Sequence, residues 1–178
     1  MARTHKTAYL GLFCAAAILL GYVESLLPVF AVPGMKVGLP NLAIVTVLYL
    51  YSWREAALVS AVRIAVNGLL FGNLFSFSFS LAGGALSLLV MAVVKSLGLF
   101  SATGVSLLGG IAHNAGQIAA AIFLVDSLWV AYYFVPLILT GLVAGALIGL
   151  LAAILVRRLS RVAPNLQTEK QKKSRTNQ

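Results

Sequence analysis

Acidic side chains are almost missing from this chain. Glu24, Glu55, Asp126 and Glu169 are the only four in 178 residues, and they lie far apart. Magnesium-assisted diphosphate chemistry recruits clustered carboxylates, because the metal is a hard ion that takes oxygen ligands. No such pair exists here. Cysteine is rarer still. With Cys14 alone, an internal disulfide and a CxxC metal site are both excluded, and the residue reads as a small side chain facing lipid or another helix. No His, Cys or carboxylate cluster stands at metal-ligand spacing. There is no GxxxxGK[ST] loop to cradle a nucleotide and no GxSxG nucleophile turn. The chain is therefore expected not to be an enzyme, and to carry neither metal nor cofactor.

Apolar residues are what it has instead. They make up 61% of the chain, and charged residues 10%, where soluble domains run near ~45–50% and ~25%. Long apolar stretches interrupted by single polar residues define a polytopic membrane protein. The length is that of one domain and holds about six spans of roughly 20 residues. The formal charge of +9 does not indicate a nucleic-acid partner. Arg3 and Lys6 precede the first apolar run, and seven of the thirteen Lys and Arg lie at or beyond Arg157. Basic flanks of this kind mark cytoplasmic ends, and the tail is placed to touch anionic lipid.

The expected spans are 7–27, 41–51, 55–71, 79–97, 105–125 and 131–156. A basic start before an apolar run is also the pattern of a cleaved signal peptide, but this run is long for one and has Glu24 near its end. The loop PVFAVPGMKVGLP after span 1 cannot continue a helix. Span 2 is short and is expected to borrow a turn from that loop. Residues 1–161 then form a single six-helix membrane domain. Residues 162–178 form a basic tail without apolar period, read as disordered. An even number of spans puts both termini on one side. The termini with Arg54 and Lys95 hold eleven of the thirteen basic residues, so that side is cytoplasmic. Trp129, Tyr132 and Tyr133 read as an interfacial aromatic belt.

Polar residues inside the spans are the candidates for function, because burying them in lipid is costly. Arg63 lies nine residues beyond Arg54, about 13 Å into the membrane at the helical rise. It must face protein or a water-filled cavity and find an acceptor. Two readings follow: a lock between two helices, or a group that binds an anion or orients a substrate. Asn67 shares its face one turn on. In span 5, His113, Asn114 and Gln117 are spaced to form one patch, serving either a ligand or helix–helix hydrogen bonds. Glu24 is placed to pair with Lys36 or reach toward Arg63. With Lys36 and Asn41, these residues gather in the outer half of the expected bundle, as in a pocket open to the outside.

Small residues at four-residue spacing let helices approach closely. Span 6 has Gly141, Gly145, Gly149 and Ala153. Span 5 has Ala112, Gly116 and Ala120. Span 1 has Gly11 and Ala15, and Ala17 and Gly21. Most such contact is expected inside the monomer, with the span 1 strip the candidate for an external partner.

The segments GYVESLLP, MKVGLPN, VRIAVNGLLFG, FSFSLAGGALSLLVM and GGIAHNAGQ resemble a family of small bacterial membrane proteins over roughly residues 8–158. Its members are labelled Gx transporter family or heptaprenyl diphosphate synthase component I. Their six-helix layout is similar to the S components of energy-coupling-factor (ECF) transporters. That resemblance implies a membrane subunit that captures a small solute from outside. It also implies docking, through small residues such as Gly11 and Ala15, onto a T component with ATPase subunits. The strip here is not the strict Ala-x-x-x-Ala form. The synthase label implies an accessory role in isoprenoid quinone biosynthesis, since no DDxxD-like motif is present; a membrane partner of a flavin-based electron-transfer complex is a further alternative. The implied location is the bacterial cytoplasmic membrane, multi-pass, with no nucleic-acid partner.

Overall fold

Short polar side chains set several of the helix starts. The Ser52 hydroxyl accepts from Arg54 N at 3.2 Å, Asn73 Oδ1 from Ser76 N at 2.8 Å, and the Ser101 hydroxyl from Gly104 N at 3.3 Å. Each satisfies a backbone N–H that the helix itself leaves free. The computed structural model describes residues 2–26 and 37–162. Among them it contains α1 (Ala2–Ser25), α2 (Asn41–Leu50), α3 (Trp53–Phe71), α4 (Leu74–Leu97), α5 (Ala102–Val125) and α6 (Phe134–Val162). A short 3-10 helix, Leu128–Tyr133, precedes α6, and the described residues contain no strand. The expected tail beyond residue 162 and the loop residue Lys36 lie outside the described residues.

One expectation about the helices needs correction. The alternating Phe and Ser before residue 79 belong to α4, because Asn73 caps the helix a full turn and more before the expected start. The expected turn from the loop precedes the second helix, with Asn41 N donating to Gly38 O at 2.8 Å and Leu42 N to Leu39 O at 3.1 Å. The helix itself holds 10 residues from Asn41. At ~1.5 Å per residue that is about half the hydrocarbon thickness. Among the described residues, four segments are long and apolar enough to cross a membrane: Thr4–Ser25, Leu74–Leu97, Ala102–Val125 and Leu128–Arg161. Helix α3 has the length, at 19 residues, but carries Arg54, Glu55 and Arg63.

Helix α2 is instead the centre of the bundle. Eight of its residues are buried, and it packs on each of the other five long helices. Its apolar side chains join Phe13 and Ala17 of α1, Ala56 and Val59 of α3, Met91 of α4, Val105 of α5 and Ala152 of α6 in one core. A second core of Phe79, Ile118, Ala121 and Leu137 joins α4, α5 and α6. The C-terminal carbonyls of α2 have no partner within the helix. Lys95 of α4 donates to one of them, Leu48 O, and its ammonium lies 4.9 Å from the Tyr49 ring. Lys6 pairs with Glu55 at 2.8 Å at the start of α3 and lies 5.7 Å from the Tyr51 ring.

The glycine strips hold α4, α5 and α6 together. A methyl group added at Gly145 would lie 2.8 Å from Leu107 Cα and Ser106 O of α5, and one at Gly149 would lie 2.7 Å from Thr103 Cα. Gly116 meets α4 the same way, 2.6 Å from Ala82 O. The backbones touch there because no side chain stands between them. Along α1, by contrast, Gly11 and Ala15 are exposed, and nothing lies within 4 Å of a methyl placed on Gly11.

Candidate functional site

Glycine at the right places turns the polar residues of four helices toward one layer. In α4, Gly83 and Gly84 are adjacent and face different helices. A methyl on Gly83 would lie 3.0 Å from Gln117 Cγ and 3.1 Å from His113 Cε1 of α5. One on Gly84 would lie 3.3 Å from Arg63 Nη2 and 3.6 Å from Ser60 Oγ of α3. The pair forms a bare wall with the guanidinium on one side and the imidazole and amide on the other.

The entrance to α2 closes one end of this layer. Gly38 has φ +93°, a left-handed conformation suited to glycine. Its N–H and that of Leu39 both donate to Oε1 of Glu24, the latter at 3.1 Å. Glu24 thus anchors the turn that leads into α2. A methyl on Gly38 would also lie 2.9 Å from Asn41 Nδ2 and 3.6 Å from His113 Cδ2. On α1, Gly21 makes room for the Asn67 amide, with Pro40 beside it. Glu24, Asn41, Arg63, Asn67, His113 and Gln117 are all buried.

Their hydrogen bonds divide them. His113 Nε2 and Gln117 Nε2 lie 3.3 Å apart. An amide nitrogen only donates, so His113 Nε2 is the acceptor and a neutral ring carries its proton on Nδ1. Arg63 is different. Its Nε and Nη2 are buried without a hydrogen-bond partner, and so are both polar atoms of the Asn67 amide. Glu24 is the charged group whose field acts on Arg63, yet the two form no ion pair; the one salt bridge among the described residues is Lys6–Glu55.

One sequence expectation fails here. Asn114 does not share a patch with His113 and Gln117. It turns toward α6, where its Nδ2 donates to Leu137 O and lies 3.5 Å from Thr140 Oγ1. Neighbouring positions on a helix point about 100° apart, and the α5–α6 crossing captures that direction. Asn114 is thus a tie between helices. Residue spacing alone does not mark Ser60, Gly38 or the Gly83–Gly84 pair. The signal was present in the adjacent glycines of FSFSLAGGALSLLVM, but not the neighbour each one faces.

An all-helical membrane protein with a buried polar layer where α1, α3, α4 and α5 meet the entrance to α2 is the class this geometry defines. The model of the family heptaprenyl diphosphate synthase component I matches residues 13–155, and the chain belongs to that family. No curated protein and no solved structure matches it.

Proposed function

We propose that this chain is the solute-capturing membrane subunit of an uptake system, of the S-component type. The small molecule sits in the polar layer on the Arg63 and Asn67 side of the α4 glycine wall, with Glu24 and Asn41 at the α2 entrance, His113 and Gln117 backing the wall from its other side, and Lys36 as the sequence's further candidate. The observation that carries the reading is the buried, unpartnered edge of Arg63 beside the unpartnered amide of Asn67. A helix lock needs an acceptor for its arginine, and none is in place. A buried donor left unsatisfied costs about 1–3 kcal/mol, more when charged. Such a cost is retained where an arriving molecule supplies the partner.

The arrangement in the bilayer follows from the same reading. Six helices form the domain, with α3 turning Arg63 inward and α2 shielded by its neighbours. Both termini are cytoplasmic in the bacterial cytoplasmic membrane, and the open Gly11–Ala15 face of α1 meets a T component carrying ATPase subunits. In a Cys14→Ser background, Asp126→Cys is expected to react with an impermeant thiol reagent added outside intact cells, and Arg158→Cys only after lysis. Reversed labelling would overturn the orientation.

Native mass spectrometry of the purified full chain tests the capture itself. The expected result is a bound small molecule, lost in Arg63→Ala. Wild-type protein that carries none, and that no small solute stabilises, would defeat the proposal. The family's name favours a second reading, an accessory membrane subunit of a prenyl diphosphate synthase; it is accessory because the chain has no carboxylate pair for Mg²⁺. Co-purification of a soluble synthase, with the polar layer empty, would decide for it.

A further inference from the structure

The polar layer has a chemical bias that narrows what it can hold, given that it holds a solute as proposed above. Nε and Nη2 lie on one edge of the Arg63 guanidinium, where two N–H bonds run parallel. That is the fork that matches the two oxygens of a carboxylate. Both of its nitrogens are unpartnered and buried. Asn67, one turn further along α3, adds an unpartnered donor and an unpartnered acceptor on the same face. Gly84 lets the guanidinium lie close against the α4 backbone, since a methyl there would come within 3.3 Å of Arg63 Nη2.

Charge sets the second limit. Arg63 and Glu24 are the ionisable groups of fixed opposite sign buried among the described residues, so the layer is close to neutral before a ligand enters. Glu24 already holds two backbone N–H groups of the α2 entrance. A single negative charge, paired directly with the Arg63 fork, is the smallest excess an anion can bring to this layer. A diphosphate would bring two or three charges past Glu24 with one guanidinium to meet them, and uncompensated buried charge is strongly unfavourable.

We infer that the ligand is a small monocarboxylate, its carboxylate held side-on by Arg63 and an adjacent hydrogen-bonding group held by the Asn67 amide. A diphosphate is not the ligand of this layer. The shared carboxylate chemistry covers a free solute and a fatty acid headgroup.

Thermal-shift and calorimetric titration of the full chain in lipid nanodiscs tests this at matched ionic strength. The probes are propionate, lactate, benzoate, dodecanoate, methyl lactate and inorganic pyrophosphate. At least one carboxylate is expected to stabilise the protein, whereas methyl lactate and pyrophosphate are not. Arg63→Lys is expected to weaken that carboxylate at least ~10-fold, because an ammonium lacks the fork. Glu24→Gln keeps an acceptor for Gly38 and Leu39 and removes the opposing charge, so it is expected to bind the carboxylate several-fold tighter. A purely structural Glu24 would give no such gain. A preference for dodecanoate assigns the same site to a lipid-borne carboxylate. Stronger stabilisation by pyrophosphate, or equal stabilisation by methyl lactate, overturns the inference while leaving solute capture intact. No response to any probe, with a neutral or cationic molecule found in the purified protein, also overturns only the carboxylate class. No response together with empty protein overturns both.

Discussion

Gly145→Leu is expected to abolish folding of the bundle. The position faces the α5 backbone directly: even a methyl group there would sit 2.8 Å from Leu107 Cα and from Ser106 O. Neither is the end of a flexible side chain that swings aside. A leucine must push α6 off α5, and overpacking of this kind costs about 1–3 kcal/mol or more. The loss spreads, because the same crossing carries Gly141, Gly149 and the Asn114–Leu137 hydrogen bond. In a membrane, helices associate through close packing and polar contacts rather than through expulsion of water, so little else restores the contact. The expected readout is a chain recovered from membranes as aggregate, or a thermal midpoint well below that of the wild type. Gly11→Leu is the control. Nothing lies within 4 Å of a methyl at Gly11, and its folding is expected to be unchanged. Wild-type stability of Gly145→Leu would mean that α5 and α6 do not cross there.

Arg63→Ala is expected to lose solute binding and keep its fold. A buried ion pair broken on one side costs several kcal/mol because a charge is left alone. Here the opposite holds. The Nε and Nη2 donors have no acceptor to strand, and the Glu24 carboxylate keeps its two backbone partners. Removing a guanidinium from the middle of a membrane protein also relieves an insertion penalty. The expected thermal midpoint of the solute-free variant therefore equals or exceeds that of solute-free wild type, while native mass spectrometry finds no bound molecule. A sharp fall in stability without solute would restore the helix-lock reading and remove the main support for the site.

Gly145 and Arg63 differ in how far the sequence alone reveals their roles. The four-residue glycine rhythm of α6 states that a close crossing exists; it does not name α5 as the partner. Arg63 announces itself as a costly residue in an apolar run. Whether it had found an acceptor was a question about α1, α4 and α5, none of which is near it in sequence. Asn114 shows the limit most plainly. Its spacing from Gln117 fits a shared patch, yet the nearest carbonyl belonged to α6, and a hydrogen bond to Leu137 O took it there.

Composition, the apolar runs and the basic flanks were enough to establish an all-helical membrane protein, because the cost of unpaired backbone groups in lipid leaves a chain of this kind little choice but helices. The same reasoning flagged Glu24, Arg63, Asn67, His113 and Gln117, since polar residues in such runs are too costly to be incidental. Only the tertiary structure decided that the short α2 is the buried centre of the bundle. Only it decided that Glu24 serves the Gly38 turn, and that two adjacent glycines of α4 separate the guanidinium from the imidazole. Those facts depend on which backbone approaches which. Helical periodicity fixes the face a residue occupies, but the neighbour that fills that face comes from the packing of distant segments.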